Sequence, residues 1–414
     1  MNKSISVYVR LGIMMFLQYM LMASFFEPLS LFLKNMKMGD FMIATITATL
    51  GWGSLISPLV GMIADRFING ERVLSILNML VAIFLCMAAY FSNCEFLGDS
   101  RNMLIFISIF LAMCAYMPTW GMTSSIAMTH SDPNYFPWVR LCGTAGWVSA
   151  AIFSITALKV FDTHIDGTNI TLYCGSGVAL FASLFGFTLP TTPPPAKGMP
   201  MSLVDTFGLR SLEMLKDGNL RVFMMSTFCR TFVYSMYFLY MSEFLNHVGV
   251  KMIVATANVG QIIEVCCLFA LPFVIRAIGL KYTMALGLLA LAIRYICFRF
   301  TTPEHPDLLW GAIVMQGPIF GCFLVSAQIY MDRKSPKELR SQAQGLFFCI
   351  TEGFGLLLGA YLMRALIYFC TENNVTDWKE VYTVVSIMAI MLLIFFLTCF
   401  RDKIAMKSYE KQEK

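Results

Sequence analysis

The strongest constraint on this chain is a series of long apolar runs, separated by short polar segments, along nearly all of its 414 residues. A helix needs about 20 mostly apolar residues to cross the hydrocarbon core of a bilayer, and most of the runs reach that length. Only 13% of the residues are charged, whereas a soluble domain carries about 25%. Because backbone groups inside a bilayer must be satisfied within the segment itself, the runs predict transmembrane α-helices.

The apolar runs mark twelve predicted spans. They lie at 8–34, 40–64, 73–92, 103–126, 138–160, 170–190, 222–246, 252–275, 281–300, 308–331, 342–368 and 380–400. Of the Lys and Arg residues in the loops and at the span ends, nineteen lie on the side of the termini and eight on the other side. Cytoplasmic loops carry the excess of these residues, so the asymmetry places both termini in the cytoplasm. The sequence therefore predicts a multi-pass protein of the cell inner (plasma) membrane.

Consecutive prolines mark the longest polar connection, between the sixth and seventh spans. Proline cannot continue a helix, because it lacks the backbone N–H and its ring clashes with the preceding turn. The sequence thus predicts four parts: an N-terminal six-helix bundle at 1–190, a cytoplasmic linker at 191–219, a C-terminal six-helix bundle at 220–400 and a cytoplasmic tail at 401–414. Two six-helix bundles are the architecture of the major facilitator superfamily, in which the solute binds near the bilayer midplane. The predicted fold class is an all-α membrane protein with the major facilitator fold.

Several classes of function lack their sequence motifs here. The chain contains no Walker A sequence, no H-E-x-x-H motif and no nucleophile elbow with partners, which argues against an ATP-driven pump and against an enzyme. Its four histidines, at positions 130, 164, 247 and 305, fall in loops or at span ends, so neither a metal site nor a cofactor is predicted. The net charge of +5 is concentrated in the loops of one side, which indicates membrane topology rather than nucleic-acid binding.

Ionisable residues inside the predicted spans are candidates for function, because a charge inside the bilayer is costly. The candidates deep inside the spans are Glu27, Arg140, Arg230, Glu264, Arg294 and Glu352. Arg140 is followed at helical spacing by Thr144 and Trp147, which places a cation, a hydroxyl and an aromatic ring on one helix face. Gln261 and Glu264 also share a face. An amide beside a carboxylate suits a polar solute and reversible protonation, whereas a structural Glu–Arg pair between helices is the alternative.

The loop after the second span resembles the major facilitator motif G-x-x-x-D-(R/K)-x-G-R, with an insertion before its second glycine. The sequence runs from Gly61 through Asp65 and Arg66 to Gly70 and Arg72. A small residue such as Gly61 allows helices to approach closely. The charges of Asp65, Arg66 and Arg72 predict a gating latch that holds one conformation of the protein. The alternative is that they are ordinary charges of a cytoplasmic loop.

Short segments spread over nearly the whole chain match one family in the same order. They are FLQY at 16–19, AYMPT at 115–119, FPWVRLCGT at 136–144, QIIE at 261–264, AQG at 343–345, GFG at 353–355 and TDW at 376–378. They resemble the nucleoside:proton symporters, the family of the bacterial nucleoside permease. In that family, residues of spans 5 and 8 are associated with the nucleoside site. The resemblance therefore implies solute-binding roles for Arg140, Thr144, Trp147, Gln261, Glu264 and, from the first segment, Gln18.

Three departures from the family pattern concern polar positions inside the spans. Gly321 stands where the family has an Asp in span 10, Ser235 and Phe238 stand where it has Gln and Asn in span 7, and Glu352 stands where it has Asn in span 11. Ser235 and Phe238 are retained as candidates for solute binding. Glu352 has two interpretations: a relocated proton site, or an ion pair with an arginine of the second bundle, Arg230 or Arg294.

Together these features predict a secondary active transporter that imports nucleosides by proton symport with alternating access. Glu264 or Glu352 would take the proton from outside, Trp147 would stack on the base, and Thr144 and Gln261 would bind the ribose or the base. The expected partners are a nucleoside, a proton and the lipid bilayer, and the protein is expected to be a monomer. The alternatives are a proton symporter of another polar solute, such as a sugar or a modified nucleoside, and a transporter-like sensor that binds solute without moving it.

Overall fold

The computed structural model describes residues 5–98, 100–131, 135–163, 165, 167–198, 210–250, 253–302, 304–372 and 375–401. Most of these residues are helical. The helices before the predicted linker are α1 (Ile5–Asn35), α2 (Asp40–Thr47), α3 (Thr49–Ser54), α4 (Ser57–Arg66), α5 (Gly70–Ser92), α6 (Ser100–His130), α7 (Phe136–Ser149), α8 (Ala151–Phe161) and α9 (Ile170–Gly186).

The helices after the linker follow the same pattern of long apolar segments. They are α10 (Gly218–His247), α11 (Ile253–Phe300), α12 (Leu308–Val314), α13 (Gln316–Pro318), α14 (Ser326–Lys334), α15 (Arg340–Phe348), α16 (Leu356–Phe369) and α17 (Trp378–Cys399). Two π-helices interrupt this half, the first at Ile319–Val325 and the second at Cys349–Gly355. Short 3-10 helices lie at Glu95–Leu97, Arg210–Lys216 and Lys337–Leu339, and strands β1 (Thr371–Glu372) and β2 (Val375–Thr376) pair antiparallel.

Nine helical segments of the described chain are long and apolar enough to cross a membrane. They are Ile5–Asn35, Phe41–Arg66, Gly70–Ser92, Ser100–His130, Phe136–Phe161, Val259–Phe300, Leu308–Lys334, Lys337–Phe369 and Trp378–Cys399. Helix α9, with 17 residues, and the more polar α10 cover the sixth and seventh predicted spans. The predicted spans 252–275 and 281–300 are two helices, together labelled α11, that meet at the non-helical residue Gly279 (φ 77°, ψ 167°).

The contacts divide the chain into two units, of which the first comprises 1–211 and 335–349. In this unit α1 packs against α7 and α9, and α5 packs against α6 and α9. The α1–α7 contact is close at Gly146, where an added Cβ would lie 2.8 Å from the carbonyl carbon of Phe16 and 2.9 Å from its Cα. A side chain at position 146 would therefore separate the two backbones, and glycine is required there.

The second unit comprises 212–334 and 350–414. Helix α11 packs against α17 and the first π-helix, and α10 packs against α16 and α17. Buried aromatic rings join α10, α11 and α17: the Tyr382 ring lies 4.7 Å from that of Phe244, 5.1 Å from that of Phe298 and 5.9 Å from that of Trp378. Such ring pairs contribute about 0.5–1.5 kcal/mol each beyond the area they bury, so they help to hold these three helices together.

The predicted linker, 191–219, is described at 191–198 and 210–219. Its first part binds the turn between α4 and α5: the Thr192 carbonyl accepts from the Gly70 N–H over 2.9 Å, and the Thr192 N–H donates to the Glu71 carboxylate over 2.8 Å. Residues 199–209 of the linker and 402–414 of the tail lie outside the described residues. The predicted domain boundaries stay a prediction.

Candidate functional site

Gln18 lies at the centre of a buried hydrogen-bond network that joins three helices of the first unit. Its fully buried amide in α1 donates to Asn78 Oδ1 of α5 over 3.0 Å and accepts from Thr119 Oγ1 of α6 over 2.8 Å. The backbone carbonyl of Gln18 accepts from the Tyr116 hydroxyl over 2.5 Å. A buried polar group left without its partner costs about 1–3 kcal/mol. Both ends of the Gln18 amide therefore serve to join helices.

Arg140, the predicted cation of span 5, packs against aromatic rings in the first unit. Its guanidinium carbon lies 4.0 Å from the centroid of the Tyr19 ring, and Tyr19 stacks on Trp120 with centroids 5.4 Å apart. Arg140 and Thr144 are 1% and 2% exposed. Gly143 lies beside this group, since a Cβ there would be 2.7 Å from Tyr19 Cδ2 and 2.9 Å from Arg140 Nη1. The structure thus brings Arg140 together with two rings that the sequence did not single out.

Trp147, the predicted stacking ring, is half-buried, and its indole N–H donates to Glu27 Oε1 over 2.8 Å. Glu27, on α1, is exposed. The hydrogen bond joins α1 to α7 and links two residues that the sequence selected for separate reasons. The ring against Arg140 belongs to Tyr19, so the role of Trp147 in stacking on a base stays a prediction.

Asp65, the acid of the predicted latch, is buried in α4 and binds the first turn of α15, all within the first unit. Its carboxylate accepts from the backbone N–H of Ser341 over 3.2 Å and of Gln342 over 2.8 Å. The first N–H groups of a helix have no partner within the helix and attract negative charge. Arg66 is buried, whereas Arg72 is exposed. Asp65 therefore binds the start of α15, whereas a gating role for Asp65, Arg66 and Arg72 stays a prediction.

Two buried arginines and two tyrosines form a polar cluster in the second unit. Arg294 of α11 donates to Gln316 Oε1 over 2.8 Å, and Gln316 Nε2 donates to the Tyr234 hydroxyl over 3.3 Å. The Arg230 guanidinium carbon lies 4.5 Å from the Tyr234 ring centroid, and that of Arg294 lies 4.0 Å from the Tyr237 ring centroid. Cation–π contacts of this kind are worth about 0.5–2 kcal/mol. Rings and an amide thus stabilise the two positive charges inside the unit.

Gln261 and Glu264, the predicted amide and acid of span 8, lie on α11. Glu264 is 3% exposed and Gln261 is half-buried. The Glu264 carboxylate interacts electrostatically with Tyr237 and Cys267. Tyr237 also contacts Arg294, so it links Glu264 to the polar cluster.

Ser235 and Phe238, the predicted polar-site positions of span 7, occupy different surroundings in α10. Ser235 is fully buried, and its hydroxyl donates to the Phe232 carbonyl over 2.7 Å. Gly359 of α16 packs against it, since a Cβ there would lie 2.8 Å from Ser235 Cβ. Phe238 is 46% exposed in the described part of the chain. Ser235 therefore lies in a helix–helix contact, and solute binding by either residue stays a prediction.

The two departures in spans 10 and 11 both fall in π-helices. Gly321 lies in the first, where a Cβ would meet Cys267 Cβ at 3.4 Å, and Glu352 lies half-buried in the second. Glu352 interacts electrostatically with Arg230. π-Helical turns are frequent at functional sites. Arg230 is one of the two arginines that the sequence offered as partners of Glu352, and an ion pair between them stays a prediction.

Sequence reasoning did not select several members of these groups, among them Tyr19, Asn78, Trp120, Tyr234 and Gln316. Tyr19 lies within one of the segments that resemble the family, and Trp120 follows another directly. Asn78 is a polar residue inside an apolar run, which is a signal of buried hydrogen bonding. Tyr234 follows Arg230 by four residues in α10, so helical spacing predicts their contact. The contact of Tyr234 with Gln316 depends on how two helices pack, which no local pattern reveals.

Comparison with known proteins gives a family match over nearly the whole chain. A sequence model of the family described as "Nucleoside H+ symporter" matches residues 5–405. The chain is 31% identical to YegT of Escherichia coli (strain K12) over 407 residues, which cover 95% of this chain and 93% of YegT. It is 25% identical to the nucleoside permease NupG of the same strain over 420 residues, which cover 95% and 96%.

Solved structures share the fold. The crystal structure of the nucleoside transporter NupG superposes with a TM-score of 0.63 at 24% identity, covering 97% of this chain and 100% of NupG. The proton:xylose symporter XylE, a major facilitator protein, superposes with a TM-score of 0.73 at 12% identity, covering 99% of each chain. The chain therefore has the major facilitator fold and is an integral membrane protein, which confirms the predicted fold class.

Proposed function

Because the chain belongs to the nucleoside H+ symporter family, we propose that it imports a nucleoside together with a proton by alternating access. The observation that carries this proposal is the family match over residues 5–405. The relative NupG is a nucleoside permease that aligns over 95% of the chain. XylE, a proton:xylose symporter, has the same fold. Proton symport is therefore an activity that this architecture supports.

Each unit carries its own proposed solute contacts. In the first unit, Arg140 and Thr144 bind the solute beside the stacked rings of Tyr19 and Trp120. Stacking of a base on an aromatic ring is worth about 1–3 kcal/mol. Trp147 is retained as the predicted stacking residue. Because Gln18 is fully engaged with its neighbours, its proposed role is to hold the adjacent Tyr19 in place.

In the second unit, the proposed solute contacts are the amide of Gln261 and the carboxylate of Glu264. An amide both donates and accepts hydrogen bonds, as the hydroxyls of a ribose and the edge of a base require. The proton is carried by a carboxylate, Glu264 or Glu352. The proposed latch at Asp65 acts through its contact with α15, and Arg66 and Arg72 complete the motif.

The finer proposals on cellular context follow from the topology signal and from the family. We infer a location in the cell inner membrane with both termini in the cytoplasm, because Lys and Arg are in excess on the side of the termini. The protein acts as a monomeric transporter without a catalytic reaction, and its partners are a nucleoside, a proton and the surrounding lipid.

The test is uptake by the purified protein in proteoliposomes. Radiolabelled purine and pyrimidine nucleosides, free bases and sugars are supplied with and without an inward proton gradient. We expect at least one nucleoside to accumulate only with the gradient, and protonophore to abolish its accumulation. Accumulation of a sugar alone, or binding without uptake of any solute, would contradict the proposal.

The second arm concerns Glu264. If Glu264 carries the proton, Glu264→Gln should abolish gradient-driven accumulation, because the amide cannot release a proton. Glu380, exposed at the start of α17, provides the matched control, and Glu380→Gln should transport like the wild type. Undiminished accumulation by Glu264→Gln would remove Glu264 as a coupling group.

A further inference from the structure

Arg230 is a buried cation whose hydrogen-bonding capacity is largely unused. It is 2% exposed, and a guanidinium carries five N–H donors. One of these, on Nη2, reaches the Ile319 carbonyl at 3.5 Å, and Nε has no hydrogen-bond partner in the part of the chain that the structure describes. A buried donor without a partner costs about 1–3 kcal/mol. Arg230 therefore has a donor that an additional hydrogen-bond acceptor could satisfy.

The second π-helix brings a carboxylate towards this arginine. Gly355 of that π-helix packs against α10, since a Cβ there would lie 3.1 Å from Thr231 Cβ and 3.4 Å from the Phe228 carbonyl oxygen. These two residues flank Arg230 in α10. The π-helix thus lies against the same turn as the guanidinium, and Arg230 is the charged group that acts on Glu352.

The other ionisable groups around Arg230 lie on α10 and α11. They are Tyr234, Arg294 and Tyr295. Arg294 is already bound to Gln316, and Tyr295 donates its hydroxyl to the Val233 carbonyl over 2.7 Å. Among the groups that act on Arg230, Glu352 is the carboxylate, the one that can carry a negative charge beside the guanidinium at neutral pH.

We propose that Arg230 is the positioning residue of a proton-binding site at Glu352. When Glu352 is ionised, its carboxylate closes onto the guanidinium; when Glu352 takes a proton from the external water, that contact is released. Arg230 keeps its charge throughout, because a guanidinium does not lose its proton in proteins. Since Arg230 also contacts Ile319, the proton on Glu352 acts on both π-helices. The inference rests on the proposed symport and names its coupling site.

The decisive measurement is the pH dependence of nucleoside uptake in proteoliposomes. An opposite charge close to a carboxyl changes its titration by about 1–3 pH units. Arg230→Met should therefore move the midpoint of the uptake profile to higher pH by about one unit or more. Arg230→Lys, which keeps the charge, should stay closer to the wild type. Arg299→Met is the matched control, because Arg299 lies at the end of α11 and binds Thr383 instead; its midpoint should not move.

Glu352→Gln gives the second measurement. This variant should lose gradient-driven accumulation and its pH dependence, yet it should keep counterflow, the exchange of labelled for unlabelled nucleoside, which needs no net proton movement. In the Glu352→Gln background, adding Arg230→Met should change the pH profile no further. The double variant also removes both charges together, so it remains informative where Arg230→Met alone does not fold.

Two results would overturn the inference: a midpoint for Arg230→Met equal to that of the wild type, or wild-type pH dependence in Glu352→Gln. Failure of the proposed function looks different. In that case the wild-type protein itself shows no counterflow of any nucleoside, whereas failure of the inference alone leaves wild-type symport intact.

Discussion

Replacing Gly143 with alanine would insert one methyl group between Arg140 and Tyr19 while leaving both side chains chemically intact. The new Cβ would lie 2.7 Å from Tyr19 Cδ2 and 2.9 Å from Arg140 Nη1. Carbon atoms pack best at about 3.5–4.0 Å, so the ring must withdraw by about 0.8 Å or more. The guanidinium–ring contact that this displaces is worth about 0.5–2 kcal/mol. If displacing Tyr19 and Arg140 weakens solute binding by the same amount, the dissociation constant rises roughly 2- to 30-fold, at 1.4 kcal/mol per tenfold change.

The assay is calorimetric titration of the purified protein with the nucleoside that it transports, beside uptake in proteoliposomes. The matched control is Gly177→Ala on α9, where an added Cβ meets nothing within 4 Å. Both variants should remain folded, and Gly143→Ala alone should bind the nucleoside more weakly. Wild-type affinity and uptake in a folded Gly143→Ala variant would refute the placement of the Tyr19–Arg140 contact in the solute site.

Two further predictions concern stability, measured as the melting temperature of the solubilised protein. Gly146→Ala should cost about 1–3 kcal/mol by overpacking two backbones, whereas Gly177→Ala should not lower the melting temperature; equal values would contradict the close packing. The Lys334 ammonium lies 2.8 Å from the Asp217 carboxylate and lowers the pKa of that carboxyl below 3.8. The ion pair therefore stabilises the fold fully above pH 3.8, and its contribution is lost as the pH falls through the lowered pKa. Asp217→Asn should therefore cost less than about 1 kcal/mol, equally at pH 5 and pH 8, and a cost that changes between these two pH values would contradict this assignment.

The number and order of the helices could be predicted from the sequence, because lipid imposes one requirement on every span. The pair 252–275 and 281–300, predicted as two helices, differs from the prediction only in the length of the connection. There Gly279 adopts a positive φ and turns the chain in a single residue. The sequence shows the glycine but not its backbone conformation, so the length of the connection was overestimated.

The site could be predicted only in part, because helical spacing defines a face without identifying the helix that packs on it. Arg140 and Thr144, which the sequence places on one face of α7, are both buried. The ring against Arg140, however, comes from Tyr19 of α1. Trp147 continues the same face further along α7 and meets Glu27 instead. A pattern within one helix cannot determine such contacts between helices.

The proposed relocation of an acid from span 10 to span 11 can be explained by the position of Arg230 in the second unit. Arg230 contacts the first π-helix at Ile319, close to Gly321, where the family pattern has an acid. It also faces Glu352 on the second π-helix. Arg230 is therefore a single cation close to both π-helices and so to both acid positions. A carboxylate can move from one span to the other while its charge remains near the same guanidinium, so the departure from the family pattern is compatible with retained proton coupling.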